Sequence, residues 1–118
     1  MIIQIWHSRD FDYISDLYSP LKNHVIFSEN DFLLPHDGIS MNSRETLKSV
    51  DLFICEVSYP SLWLGIEIWF ASMYNKRIVC FHENDINPTS SLNYVTNEIY
   101  SYSSSVELLD KIQALIKA

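Results

Sequence analysis

The sequence is poor in glycine (two residues) and proline (four), has two cysteines, and sets eight basic residues against fifteen acidic ones. So little glycine and proline, with no low-complexity tract and no internal repeat, argues against a disordered chain or a solenoid. Cys55 and Cys80 sit inside apolar runs rather than at metal-ligand spacing, so they read as small core residues of a reduced, cytoplasmic protein without a metal site. A net charge of -7 supplies no basic stripe to displace counterions, which argues against a DNA or RNA polymer as partner. No apolar run approaches membrane-spanning length, and Met1 to Trp6 lacks the basic flank of a signal peptide, so no membrane association is expected.

What is present fits one domain over residues 1–118. A small anionic ligand stays open to it despite the acidic balance, because helix N-termini and backbone amides supply local positive potential.

Apolar runs at Met1 to Trp6, Asp31 to Leu34, Asp51 to Val57 and Ile78 to His82, with a weaker one at Glu98 to Tyr102, predict strands. The run Val25-Ile26-Phe27 competes with 31–34 for the second of them, and 31–34 is preferred. Between the strands, Phe11, Ile14, Leu17 and Leu21 recur at helical spacing, with Pro20 kinking or shortening that helix. Asn42-Ser43-Arg44-Glu45 resembles a capping box opening a short helix to about Val50, and a third helix spans about Leu62 to Asn75. Val106, Leu109, Ile112 and Ile116 make a final helix capped by Ser104 or Ser105. Alternating strands and helices imply right-handed crossovers: a three-layer α/β fold with about five parallel strands, flavodoxin-like or Rossmann-like. Ligands bind such sheets beyond the carboxyl ends of the strands, where the loops His7 to Asp10, His36 to Asn42 and Ser58 to Gly65 should converge.

Glu67 is the one charged residue between Leu62 and Met73, and a carboxylate in such company needs partners or a task. At the start of the third helix it suits a nucleophile or a stabiliser of positive charge on a sugar carbon losing its leaving group. A structural glutamate bonded to backbone amides is the alternative. Ser8 and Ser61 each precede a predicted helix, where a hydroxyl either cradles phosphate or simply caps the helix, and Arg9 adds charge beside Ser8. Asp51 lies at a strand entrance and reads as a cap or loop residue. His7 and His36 stand near the mouth without metal spacing and read as ordinary loop histidines. Glu56 needs a partner within its strand, which makes it a support to the site or a dimer contact.

The stretch Asp51-Leu-Phe-Ile-Cys-Glu-Val-Ser-Tyr-Pro-Ser-Leu-Trp-Leu-Gly-Ile-Glu-Ile-Trp-Phe-Ala71, continuing through Asn75-Lys76-Arg77-Ile78-Val79-Cys80, resembles the core motif of the nucleoside 2-deoxyribosyltransferase superfamily. Within it the sequence is most similar to the 2'-deoxynucleoside 5'-monophosphate N-glycosidases. The resemblance implies a dimeric, cofactor-free α/β domain that cleaves the base–sugar bond of a small-molecule nucleotide or nucleoside through a glutamate nucleophile, matched here by Glu67. It implies phosphate contacts for Ser8 and Ser61, a contribution from the neighbouring subunit for Ser91, and a glycine at Gly65 that lets substrate approach the helix. Ser61 stands where the free-nucleoside transferases usually have an aspartate, which tilts the reading toward a 5'-monophosphate.

The departures are specific. Ser43, eight positions before Asp51, stands where the family has the aspartate that protonates the leaving base. Trp63 and Trp69 replace two family glycines, and Trp63, near the expected pocket mouth, either stacks on a base or fills the pocket. No tyrosine is evident around Gln4 or Ile5 to orient the nucleophile. The leading expectation is therefore an N-glycosidase, hydrolase or transferase, set against a non-catalytic nucleotide-binding module of the same fold and, third, a dinucleotide hydrolase. Ile66, Ile68, Trp69, Phe70, Met73 and Tyr74 surround the third helix with more apolar surface than one sheet covers, which predicts a symmetric homodimer.

Overall fold

The strands form where β-branched and aromatic residues run together. A computed structural model describes residues 1–35 and 44–117. The predicted loop at His36 and the first two residues of the capping box, Asn42 and Ser43, lie outside the described residues. The strands are β1 (Ile2–His7), β2 (Asp31–Leu33), β3 (Leu52–Glu56), β4 (Arg77–Glu83) and β5 (Ile99–Tyr102). All neighbouring pairs are parallel, in the order β2-β1-β3-β4-β5. That is the flavodoxin-like order, and its direction of winding reverses between β1 and β3.

The helices are α1 (Ser19–Lys22), α2 (Val25–Glu29), α3 (Arg44–Ser49), α4 (Leu62–Met73) and α5 (Ser105–Lys117). One core lies between the sheet and α1, α2 and α5, where Ile3, Ile5, Ile54 and Phe81 meet Leu17, Leu21, Ile26 and Leu108. The other lies between the sheet and α3 and α4, where Trp6, Phe53 and Cys55 meet Leu47, Leu64, Ile68 and Ala71. Strand side chains alternate faces, so each of β1, β3 and β4 feeds both cores. Cys55 and Cys80 are paired neighbours on β3 and β4, both buried and both free, as expected for core thiols.

Two departures from the sequence reading have local causes. The helix predicted from Asp10 divides: Ile14–Tyr18 is a π-helical turn, with the Ser19 N–H reaching back to the Ile14 carbonyl, and α1 follows with Pro20 in its first turn. Proline offers no N–H and crowds the carbonyl four residues back, and the wider turn relieves that crowding. Val25-Ile26-Phe27, weighed as a strand, is the short helix α2, because the His24 ring accepts the Ile26 N–H at 3.2 Å as a cap. At the far end of α4, Asn75 takes φ 55°, a left-handed step that an asparagine tolerates, and turns the chain directly into β4. Ser104 caps α5 by accepting the Glu107 N–H at 3.2 Å.

Candidate active site

Two of the three predicted loops meet beyond the carboxyl ends of β1 and β3, with the rings of Phe11 and Tyr59 6.5 Å apart. β1 ends in His7, buried and fully engaged. Its Nδ1 donates to the Ser8 carbonyl at 2.9 Å, and its Nε2 then accepts from the Tyr18 hydroxyl at 2.7 Å while the ring stacks on Tyr13. That satisfied imidazole is part of the framework. Ser8 is buried too, and its Oγ accepts the Asp10 N–H at 3.1 Å, a local turn that leaves Arg9 exposed beside it.

β3 ends in Glu56 and continues through Ser58 to α4. Ser61 has an extended backbone and accepts the Leu64 N–H on its Oγ at 3.2 Å, so it is the N-cap of α4. Leu64, Ile68 and Ala71 then press the helix onto the sheet. Beside this stripe is a cavity of about 150 Å³ between Ser61, Gly65 and Ile68 on one wall and Pro88, Thr89 and Leu92 on the other. A Cβ on Gly65 would meet nothing within 4 Å, so the glycine keeps this flank of the helix open.

Glu67 is two residues on from Gly65, roughly 160° away around the helix. The structure therefore joins Ser61 and Gly65 on one flank and sets Glu67 on the other, toward β1. The surroundings agree: Trp6 of β1 packs with Leu64 and Ile68, and Cys55, its ladder neighbour, feels the charge of Glu67. Glu67 is half-buried and has no hydrogen bond or ion pair among the described residues. Burial alone raises its carboxyl from the ordinary range to about 7.

Sequence reasoning missed two groups on this same sheet face. Gln4 is 1% exposed, yet among the described residues neither its side-chain nitrogen nor its oxygen has a partner, and the indole N–H of Trp6 is likewise unpaired there. Buried groups left unpaired are few in folded proteins. The one signal in the sequence was a polar residue inside the apolar run Ile3-Gln4-Ile5.

Burial with no hydrogen-bond donor among the described residues is a setting in which a carboxyl group can serve as a nucleophile or an acid–base group. The chain shares its fold with a CMP N-glycosidase. The Clostridium botulinum CMP N-glycosidase BcmB aligns at a TM-score of 0.62 and 24% identity, over 93% of this chain and 98% of that one. A conserved protein from Enterococcus faecalis V583 aligns at a TM-score of 0.62 and 14% identity, over 98% and 99% of the two chains. No family model matches the sequence, and neither does any curated protein. These likenesses bear out the expected flavodoxin-like α/β fold.

The remaining predicted residues are spread more widely. Trp63 is exposed on the outer side of α4 and does not line the cavity. Ser91 is exposed in a 3₁₀ turn, Ser90–Tyr94, where its N–H donates to Thr89 Oγ1 at 3.3 Å. Among the described residues no cluster of His, Cys, Asp or Glu could hold a metal ion, and no helix is long and apolar enough to cross a membrane.

Proposed function

We propose that this chain cleaves the N-glycosidic bond of a nucleoside 5'-monophosphate or nucleoside, with Glu67 as nucleophile. The observation that carries the reading is a carboxyl group without a hydrogen-bond partner among the described residues, raised to about 7 by burial, beside the switch point of a fold shared with a CMP N-glycosidase. In the proposed reaction an ionised Glu67 oxygen bonds to the anomeric carbon as the bond to the base breaks. The base leaves with the bonding pair and takes up a proton. Water then adds its hydroxyl to the same carbon, frees the carboxylate and gives up the remaining proton. Ser61, Ser8 and Arg9 hold the 5' end, close to the start of α4, and Ser91 reaches it from a second copy.

That second copy is suggested by α4 itself. Leu62 (84% exposed), Trp63, Ile66, Trp69 and Met73 (66%) form an outward apolar stripe at spacings that suit a facing helix. We expect a cytoplasmic homodimer, to be checked by sedimentation at micromolar concentration; a monomer there would remove Ser91 from the site.

The central test supplies a panel of ribo- and deoxyribonucleoside monophosphates and measures released base. Wild type should release base from at least one, and Glu67→Gln should lower the rate by about a thousandfold or more. The wild-type rate should also fall about tenfold per pH unit below 7, as the nucleophile takes up its proton. No release by wild type, or equal release by the variant, rejects the reading. The second reading, a nucleotide-binding module without turnover, is favoured by Ser43 at the place of the leaving-group acid. It predicts nucleotide-induced thermal stabilisation with no free base.

A further inference from the structure

A second carboxylate is buried at the end of β3. Glu56 is 2% exposed, and no lysine or arginine pairs with it among the described residues. Its partners are neutral donors instead. Oε1 accepts the Ser58 N–H at 2.7 Å, and Oε2 accepts the Ser58 hydroxyl at 2.8 Å together with the Tyr102 hydroxyl of β5. The Ser58 Oγ in turn accepts the Glu83 N–H of β4 at 2.8 Å. Glu56 and Ser58 together thus tie the ends of three strands, β3, β4 and β5. Ser58 also bears on the helix. It stands three residues before Ser61, where the chain leaves the sheet for α4.

Burying a carboxyl group costs desolvation, which only its hydrogen bonds offset. What the carboxylate does that an apolar group cannot is fix the direction of the backbone two residues later, since it holds both the amide and the hydroxyl of Ser58. The residues so fixed, Ser58 to Ser61, form one wall of the cavity and carry the cap of α4. We propose that Ser58, clamped by Glu56, is a positioning residue that sets the β3–α4 loop and with it the placement of Ser61 and of the helix carrying Glu67. Its link to catalysis rests on the N-glycosidase reading; its link to the loop does not.

The test follows backbone amide exchange by NMR together with turnover. Ser58→Ala removes the hydroxyl that joins Glu56 to the Glu83 amide with little change in volume, and Ser58→Thr restores a hydroxyl. In the alanine variant the Leu64 amide, bonded to Ser61 Oγ, should exchange at least tenfold faster while the Ile54 and Val79 amides at the sheet centre keep their protection. The threonine variant should recover most of that difference. On the nucleotide hydrolysed by wild type, the alanine variant should raise KM about tenfold with kcat within about threefold. Unchanged Leu64 exchange, an equal rise across all sheet amides, or no recovery with threonine overturns the proposal. If wild type releases no base, the hydrolase reading alone fails, and the exchange measurements still decide the role of Ser58.

Discussion

Glu56 and Glu67 are carboxylates eleven residues apart, on opposite faces of one sheet, and their surroundings differ in kind. Glu56 is the more deeply buried, yet it accepts three hydrogen bonds. Burial pushes its carboxyl up, and the donors from Tyr102 and Ser58 pull it part of the way back. Glu67 is less buried, and nothing offsets its desolvation. Depth alone therefore does not mark a reactive acid. A half-buried carboxyl group with no donor among the described residues keeps its oxygens available to a ligand, whereas one bonded on both oxygens has less left to offer.

The sharpest way to break this comparison is to remove Glu56. Glu56→Leu leaves the Ser58 amide, the Ser58 hydroxyl and the Tyr102 hydroxyl without their acceptor, and should destabilise the fold by about 3 kcal/mol in chemical denaturation. A neutral result would mean that the three donors find other partners and that the contrast with Glu67 is one of position only.

Glu67 should behave in the opposite sense, and more weakly. Its folded-state value of about 7 stands above the ordinary carboxyl value of 4.5, so the folded state favours the protonated form. The stability this gives is fully present below about pH 4.5 and is lost as pH rises through 7. Glu67→Gln should therefore be more stable than wild type at pH 8, by on the order of 1 to 2 kcal/mol once solvent screening of this half-buried group is allowed for, and nearly equal to it at pH 4.5. Thermal unfolding at the two pH values checks this. A variant less stable than wild type at pH 8 would mean that Glu67 has a structural partner after all.

The sheet was legible in the sequence because each strand is an apolar run bounded by polar residues, and every predicted strand lies within two residues of the observed one. The first helix was harder. Phe11 to Leu21 keeps one apolar period, but the π-helical turn ahead of Pro20 is a backbone response that side-chain spacing does not encode. At the site, Glu67 stood out as a lone charge, and Ser61 as a residue before a helix. The Glu56 cluster did not, since Tyr102 lies 46 residues away and Glu83 reaches Ser58 only through the pairing of β3 with β4. The separation of Gly65 from Glu67 follows from helical geometry alone, yet the motif shows the two as near neighbours.

That separation gives α4 a use as a gauge of length. From the Ser61 cap to Glu67 the helix climbs six residues, or about 9 Å along its axis. In the proposed reaction one end of the ligand is gripped at the cap and the other is attacked further down. The distance between grip and attack is then built into a rigid rod instead of a flexible loop. Under that proposal a ligand without a 5' group would reach Glu67 without a hold at the far mark, so a 5'-monophosphate should be cleaved faster than the matching nucleoside.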